Sequence, residues 1–346
     1  MRFGISISHE YPAGVSIAAG LDESLEQVRC ARNAGFDAVY VGQHYLSYPT
    51  RMIQTIPLLA RVAAESGEMN VGTLVMLLPL HNPVHVAETI ASLDVITGGR
   101  FIFGVGLGYR EEEFSAFGVK RSEATGRFIE SLEIIRALWE SPKVDFRGTY
   151  YNLRGARIGL RPVQKPYPPI WVGASGNGAV VRAAALGLPW VLTPNTTISA
   201  LVGQWQLYRR ASQEAGAWPP VAIPIRRDMI IGRDRRKAVD VARPHVESKM
   251  RELVKWGFDR GFRGSDRLDV PFDKLIEGRF IVGTPEECIE GLRRYEQLFG
   301  VTEVILRLRW PGMPIEMVRQ SIRLVGEEVI PALQKSSGTK EGLEDG

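Results

Sequence analysis

The stretch from Asn70 to Gly118 constrains the fold most strongly, because it has the pattern of a complete strand, helix and strand unit. The apolar, β-branched run over Val71 to Leu78 predicts a buried strand that two prolines bring to an end. Val84 to Ile96 carries apolar residues at helical spacing and is followed by two glycines, which predicts the crossover helix. Phe101 to Phe103 then predicts a second buried strand. The chain therefore contains at least one βαβ unit.

This second strand continues into a glycine-rich loop with Gly104, Gly106 and Gly108. Alternate residues without a Cβ allow a planar ligand or another backbone segment to come close. The loop therefore indicates either tight turn packing or a seat for a cofactor. A dinucleotide-binding fingerprint needs its third glycine at position 109, where the chain has Tyr109, so a Rossmann site is disfavoured.

The composition restricts the function classes without choosing the fold. A chain of 346 residues with 45% hydrophobic residues can bury a large core. Its net charge of +4 comes from interleaved basic and acidic residues, which does not imply a nucleic-acid partner. Cys30 and Cys288 are too few for a disulfide framework or a zinc site. The N-terminus lacks an export signal and no apolar run reaches roughly 18 residues, so we expect no membrane span and a cytoplasmic location.

Strand and helix patterns alternate along the chain without a break in composition. The eight predicted strands are Phe3 to Ser8, Ala38 to Gly42, Val71 to Leu78, Phe101 to Phe103, Ile170 to Gly173, Trp190 to Thr193, Val221 to Gly232 and Val304 to Leu308. This order predicts an α/β fold, a single (β/α)8 TIM barrel over residues 1–334. Residues 256–283 lack a clear period and are expected to form a loop insertion that is either a lid or disordered. The polar residues 335–346 are expected to be a disordered tail.

A histidine and a second glycine-rich turn are the candidate functional groups. His44 directly follows the second strand, at the rim where barrels place catalytic groups. It could be an acid/base or a structural hydrogen-bonding residue, and Gln43 beside it offers no carboxylate to keep the imidazole charged. The turn from Gly173 to Gly178 opens a helix, which makes it either an anion seat or a helix start capped by Ser175 or Asn177.

Four segments of the chain resemble the bacterial luciferase-like monooxygenase family, whose members are (β/α)8 barrels that use FMN or the deazaflavin F420. The segments are GFDAVYVGQHY, VGTLVMLLPLHNPVHVAETIASLDVITGGRFIFGVGLGYREEEFSAFG, PVQKPYPPIWVGASGNGAVVRAAALG and GTPEECIEGLRRYEQLFGVTEVILRLRWPGM. The resemblance extends to about Leu333 and is weakest in the insertion. It implies a cis peptide bond between Leu74 and Val75 that faces the flavin ring.

The resemblance also implies the roles of the candidate residues. His44 would act beside the flavin as the catalytic group. The cofactor-binding residues would be Thr73, Leu74, Val75, Gly106, Leu107, Gly108 and Tyr109 around the ring, with Ser175, Gly176, Asn177 and Gly178 at the phosphate. The phosphate would then lie after strand five, whereas many barrels bind it after strands seven and eight.

These features lead to three hypotheses for the function. The first is a monooxygenase that acts on a small organic substrate with O2 and reduced FMN, which a separate NAD(P)H flavin reductase supplies. The second keeps the fold but uses F420 for hydride transfer, with Arg110 or Trp310 either accepting its acidic tail or serving the structure. The third is a flavin-binding protein without catalysis. The family resemblance also implies a homodimer, while the substrate itself cannot be read from the sequence.

A metal-dependent hydrolase is disfavoured. His81 and His85 lie four residues apart, but they flank a turn before a helix. The first strand ends in Ser8, His9 and Glu10 without a His-x-His pair, whereas a hydrolase barrel would need clustered His and Asp at several strand ends. We therefore expect no metal site.

Overall fold

The computed structural model describes residues 1–260 and 266–335 of the chain. Its strands are β1 (Arg2–Ser6), β2 (Glu10–Tyr11), β3 (Ala38–Val41), β4 (Arg51–Met52), β5 (Asn70–Leu77), β6 (Phe101–Gly106), β7 (Val144–Arg147), β8 (Asn152–Ala156), β9 (Ile170–Gly173), β10 (Trp190–Val191), β11 (Pro224–Ile231), β12 (Ile281–Gly283) and β13 (Glu303–Arg307). Its helices are α1 (Ile17–Asn33), α2 (Thr55–Ala63), α3 (Pro83–Ile96), α4 (Glu111–Ala116), α5 (Ala124–Glu140), α6 (Asn177–Ala185), α7 (Ile198–Glu214), α8 (Arg235–Lys255), α9 (Phe272–Ile276), α10 (Pro285–Phe299), α11 (Ile315–Leu324) and α12 (Ile330–Lys335).

A curled parallel sheet forms the centre of the fold. Nine strands pair in the order β10, β9, β6, β5, β3, β1, β13, β11 and β12. Beyond β10, Leu192 forms a single parallel bridge to Ile225 of β11. Leu192 donates its N–H to the carbonyl of Pro224 at 2.9 Å and accepts the N–H of Arg226 at 3.1 Å. The predicted α/β class and the eight predicted strands are confirmed, and helices connect the strands in the expected alternation.

Alternate residues of each strand enter two different cores, as the period of two in a strand requires. Val39 of β3 packs with residues of the surrounding helices. Ala38 and Tyr40 face the inside of the curled sheet. There Tyr40 stacks on Trp171 of β9, with 5.8 Å between the ring centroids. Because such large side chains fill the inside of the sheet, the remaining space lies at the carboxyl ends of the strands.

The stretch that was predicted to be a loop insertion, residues 256–283, contains regular structure. Phe272 to Ile276 form the short helix α9, whose Phe272 and Leu275 are buried. Ile281 to Gly283 form β12, which extends the sheet next to β11. The prediction missed both because each element is too short to show a period.

Two other predictions concern chain ends and membranes. The expected disordered tail begins at Lys335, which in fact ends α12, and the remainder of the tail lies outside the described residues. Among the helices that the structure describes, none has the length and apolar character needed to cross a lipid bilayer.

Candidate active site

A cavity of about 370 Å³ opens at the carboxyl ends of the parallel strands. Its size is within the range of small-molecule sites. Nine predicted site residues line it: His44, Leu74, Val75, Gly106, Leu107, Gly108, Tyr109, Ser175 and Gly176. The other three predicted residues, Thr73, Asn177 and Gly178, lie outside the lining.

One wall of the cavity, which we call the apolar half, consists of Leu74, Val75, Gly106, Leu107 and Gly173. The peptide bond between Leu74 and Val75 is cis, as the family resemblance implied. A Cβ on Gly106 would lie 2.7 Å from Val75 Cγ2, and one on Gly173 would lie 2.8 Å from Val75 Cγ1. These two glycines therefore provide room for the side chain of Val75, and the backbone on both sides forms a flat apolar surface.

Thr73 supports this wall from behind. Its side chain is fully buried, and its hydroxyl donates a hydrogen bond of 2.7 Å to the carbonyl of Gly104. A Cβ on Gly104 would lie only 2.1 Å from the Thr73 carbonyl oxygen. Gly104 is thus required for the close approach of β5 and β6, and the packing interpretation of the glycine loop holds at this position.

His44 is held at the cavity by a carboxylate that the sequence did not reveal. The Nδ1 atom of His44 lies 3.0 Å from Oε1 of Glu113, and the histidine side chain is 19% exposed. Glu113 is fully buried in α4, where its Oε1 also accepts the Tyr45 N–H at 2.8 Å. The expectation that no carboxylate lies near His44 is therefore wrong. A short helix after the glycine loop supplies one from 69 residues further along the chain.

Arg110 completes the surroundings of this pair. It donates hydrogen bonds to the carbonyls of Tyr45 and Leu46, and its guanidinium carbon lies 4.1 Å from the centroid of the Trp256 ring. Trp256 in turn covers His44 at 5.1 Å between ring centroids. Arg110 is 3% exposed, so it serves the structure rather than presenting a free charge at the rim. Trp310 is fully buried against Phe280 and is also structural.

Gln43 and His81 form a second polar group behind the apolar half. The Gln43 Oε1 atom accepts the N–H of Leu77 at 2.9 Å and lies 3.1 Å from Nε2 of His81. Burial, with a smaller contribution from His85, lowers the pKa of His81 to about 4, so this imidazole is neutral at pH 7. In the part of the chain that the structure describes, no group of three His, Cys, Asp or Glu residues is placed to hold a metal ion.

The turn before α6 has the geometry of an open helix start. Gly176 is the N-cap, and no side chain in the described structure caps the helix. The alternative prediction, N-capping by Ser175 or Asn177, is therefore wrong. A Cβ on Gly176 or Gly178 would meet nothing within 4 Å. Gln204, which the sequence did not indicate, holds the turn by donating to the Ser175 carbonyl at 2.7 Å and to Asn177 Oδ1 at 3.2 Å.

The opposite wall, which we call the charged half, consists of Glu10, Arg226, Asp228, Lys249 and Arg307. Lys249 lies 2.8 Å from Glu10, and Arg307 lies 3.5 Å from the other oxygen of Glu10. Burial opposes the ionisation of Glu10, but the attraction of these two cations prevails and lowers the pKa of Glu10 to about 2. Sequence reasoning missed this half. The only signal was the run of charged residues Arg226, Arg227 and Asp228 within an otherwise apolar strand.

A third imidazole lies near this half of the cavity. Burial lowers the pKa of His9 to about 4, although Glu10 acts in the opposite direction. His9 is therefore neutral at pH 7. The cavity thus combines an apolar wall, an open helix start, an imidazole held by a carboxylate and a set of buried charges.

A cavity at the carboxyl ends of a curled parallel sheet is the arrangement found in TIM-barrel enzymes. The family model described as luciferase-like monooxygenase matches residues 1–302. The protein belongs to this family, which includes flavin- and F420-dependent monooxygenases and other oxidoreductases.

Three similar proteins illustrate the range of the family. The F420-dependent glucose-6-phosphate dehydrogenase of Microbacterium testaceum is 26% identical over 97% of this chain and 98% of its own. The crystal structure of the monooxygenase RslO1 from Streptomyces bottropensis superposes with a TM-score of 0.82, at 26% identity, covering 96% of this chain and 100% of that one. The oxygenating constituent of 3,6-diketocamphane monooxygenase from Pseudomonas putida, in complex with FMN, has a TM-score of 0.79 at 20% identity, covering 96% and 98%.

Proposed function

We propose that this protein is a monooxygenase that uses reduced FMN and O2 to oxidise a small organic substrate. The observation that carries the proposal is the joint presence, in one cavity, of the apolar half, the open start of α6 and the His44–Glu113 pair. The similarity to RslO1, a monooxygenase of the same fold, supports this choice.

The residues of the apolar half fit a flavin ring. Leu74, Val75 and Leu107 offer apolar contacts, and the glycines among them leave the surface flat. The hydroxyl of Tyr109 is buried and has no hydrogen-bond partner among the described residues, so it is available to a ligand. Burial also raises the pKa of Tyr109 well above its usual range, which keeps this hydroxyl a donor. Reduced FMN, when bound, supplies the electrons that activate O2.

In this proposal, the cofactor phosphate binds at Ser175 and Gly176. The first N–H groups of a helix have no partner within the helix, and the positive end of its dipole favours an anion. The absence of a side-chain cap on α6 leaves these groups available in the described structure. Asn177 and Gly178 are the first two residues of α6, and each contributes its backbone N–H group to this site.

His44 moves the proton in this proposal. The Glu113 carboxylate accepts a hydrogen bond from Nδ1–H and so orients the ring. The Nε2 atom is then the position that takes or gives a proton. Trp256 and Tyr109 pack around the imidazole at 5.1 and 5.5 Å between ring centroids, which restricts access of water to this atom.

The remaining parts of the proposal concern architecture and partners. We propose that the sheet is a closed (β/α)8 barrel within a single domain over residues 1–334, and the bridge between Leu192 and Ile225 supports this closure. We also propose a homodimer and a separate NAD(P)H flavin reductase that delivers the reduced cofactor.

A second candidate, an F420-dependent reductase or dehydrogenase, is favoured by the likeness to the F420-dependent dehydrogenase of M. testaceum over nearly the whole chain. The same cavity and His44 serve this reaction, in which O2 takes no part. A flavin-binding protein without catalysis is the alternative of another class. The His44–Glu113 pair argues against it, because binding alone does not need a histidine held by a buried carboxylate.

The test is a titration of the purified protein with FMN, anaerobically reduced FMN and F420, followed by fluorescence and absorbance. Tight binding of reduced FMN, with faster consumption of O2 on adding a substrate, supports the monooxygenase. Selective binding of F420 moves the assignment to the dehydrogenase. Binding of reduced FMN without turnover of any substrate in a broad panel favours the binding protein, and failure to bind all three overturns the cofactor site.

A further inference from the structure

Arg226 and Arg307 bring two guanidinium groups to the charged half of the cavity. They lie on β11 and β13, which pair in parallel with Arg307 beside Asp228 in register. Their side chains are only 19% and 11% exposed. Burial, and next the repulsion from Arg307, lower the pKa of Arg226 to about 10. Arg226 therefore remains charged at pH 7, and the two guanidinium groups are close enough to repel each other and largely shielded from bulk water.

The carboxylates near these arginines are poorly placed to satisfy them. Arg226 Nη2 lies 4.0 Å from Asp228 Oδ1, and Arg307 Nη2 lies 3.5 Å from Glu10 Oε2. A charge-assisted hydrogen bond is typically about 2.7–2.9 Å long. Within residues 1–260 and 266–335, Arg226 Nε and Asp228 Oδ1 have no hydrogen-bond partner. Both guanidiniums thus keep donor capacity that their carboxylate neighbours do not use.

Lys249, the third cation of this half, is in a different position. Its Nζ atom lies 2.8 Å from Glu10 Oε1 and 2.8 Å from Glu252 Oε2. Two of the three nearby carboxylates are therefore bound by the lysine. Among the described residues, the carboxylate oxygens left for the arginines are Oε2 of Glu10, which faces Arg307, and Oδ1 of Asp228, which faces Arg226. A buried guanidinium without close partners is costly, so a ligand that supplied acceptor oxygens here would be stabilised strongly.

We propose that Arg226 and Arg307 form a subsite for an oxyanion, a carboxylate or phosphate group, carried by the substrate. The proposal rests on the proposed function, because it takes the cavity to be the chamber in which the substrate meets the cofactor. A guanidinium presents parallel N–H groups that match two oxygens of such an anion. In the sheet order, β10 on one side and β3 and β1 on the other separate the strands of this subsite from those of the apolar half. The substrate is thus held by its charged end, and its reacting end points to the cofactor.

The test measures anion binding directly, through the midpoint of thermal unfolding as a function of anion concentration at constant ionic strength. Sodium phosphate and sodium acetate are the probes, each with and without saturating FMN, because a ligand that binds the folded state raises the midpoint. The variants are Arg226→Gln and Arg307→Gln, with Arg226→Lys as a milder change. Arg210→Gln is the matched control, since Arg210 pairs with Glu214 on the surface and is 80% exposed.

We expect one of the two anions to stabilise the wild type, whether or not FMN is present. Each glutamine variant should weaken its apparent affinity roughly tenfold or more, as expected for the loss of a charge-assisted hydrogen bond. Arg226→Lys should lose less, and Arg210→Gln should match the wild type. Stronger binding of acetate identifies a carboxylate substrate, and stronger binding of phosphate identifies a phosphate ester.

Three results overturn the subsite: no stabilisation of the wild type by either anion, equal affinities in the wild type and both glutamine variants, or complete displacement of the anion by FMN. The last result would assign the arginines to the cofactor phosphate. Failure of the proposed function is a separate result, because FMN binding is measured on its own. If FMN does not bind while the arginines still determine anion affinity, the cofactor assignment fails and the oxyanion site remains.

Discussion

The two walls of the cavity are formed by different kinds of interaction. The apolar half depends on close backbone packing, because the absence of a Cβ at Gly106 and Gly173 leaves room for the side chain of Val75. The charged half is shaped by long side chains that balance one another, as Lys249 does between Glu10 and Glu252. Steric contacts change little with pH or salt, whereas ion pairs depend on both. We therefore propose that the apolar half is a rigid seat for the cofactor and the charged half an adjustable one for the substrate.

His44 follows β3, one of the two strands between the halves, and its removal is expected to have the largest effect. His44→Ala should lower the rate of product formation by two to four orders of magnitude, roughly the contribution of general acid–base catalysis. The affinity for reduced FMN should change less than twofold, because the apolar half and the start of α6 are untouched. Single-turnover kinetics and an anaerobic FMN titration measure the two quantities.

Glu113→Gln provides the matched variant for this prediction. It keeps the shape of the side chain and an oxygen that can accept the N–H of Tyr45, but it removes the charge beside His44 Nδ1. We expect a smaller loss of rate than for His44→Ala, together with a shifted pH profile. If both variants lost FMN affinity and rate in parallel, His44 would be a structural residue.

Gly104, which lies behind the apolar half, should tolerate an added side chain far less well than Gly178 in the turn before α6. Gly104→Ala places a Cβ 2.1 Å from a backbone oxygen that cannot move away easily, which should reduce the free energy of unfolding by about 3 kcal/mol. Gly178→Ala is the control, because its Cβ would meet nothing within 4 Å and alanine favours a helix. Chemical denaturation measures both. Equal stability of the two variants would contradict the close approach of β5 and β6.

Acid should destabilise the protein through its buried histidines. The pKa of His81 falls from 6.5 to about 4 on folding, so below pH 6.5 the unfolded chain binds a proton that the folded one does not. Stability is therefore lost progressively as the pH falls from 6.5 to about 4, by about 3 kcal/mol for this group. His81→Gln should flatten this part of the stability curve, measured by urea unfolding at several pH values. His85→Gln, at an exposed position, should change it only slightly, because it removes the smaller of the two contributions and leaves the burial of His81 intact.

The difference between the halves also explains which parts of the site the sequence could reveal. The apolar half comes from contiguous motifs: Gly106 belongs to the glycine loop of one βαβ unit, and the family resemblance of the same stretch implied the cis bond between Leu74 and Val75. Local patterns also identified the eight strands, which the structure confirms. Such features depend on residues that are close in the chain.

The charged half and Glu113 depend on residues that only the fold brings together. Lys249 pairs with Glu10 across 239 positions of the chain, and neither residue belongs to a motif. Glu113 is the last of three glutamates that follow Arg110, and nothing in that run distinguishes it from the other two. Its burial became visible only in the fold, which packs α4 against the segment with His44 and Tyr45 that follows β3. The sequence therefore indicated the residues of the apolar half better than those of the charged half.

The smallest expected effect is the sharpest test of whether the halves act separately. Ser175→Ala removes a hydroxyl from the wall near the start of α6, and we expect the affinity for FMN to fall roughly fivefold, about 1 kcal/mol for one hydrogen bond. Ser115→Ala, at an exposed position of α4, is the control. Arg226→Gln should leave FMN affinity unchanged in the same fluorescence titration. If it weakened FMN binding as much as Ser175→Ala does, both walls would hold the cofactor, and the division between a rigid cofactor seat and an adjustable substrate seat would have to be abandoned.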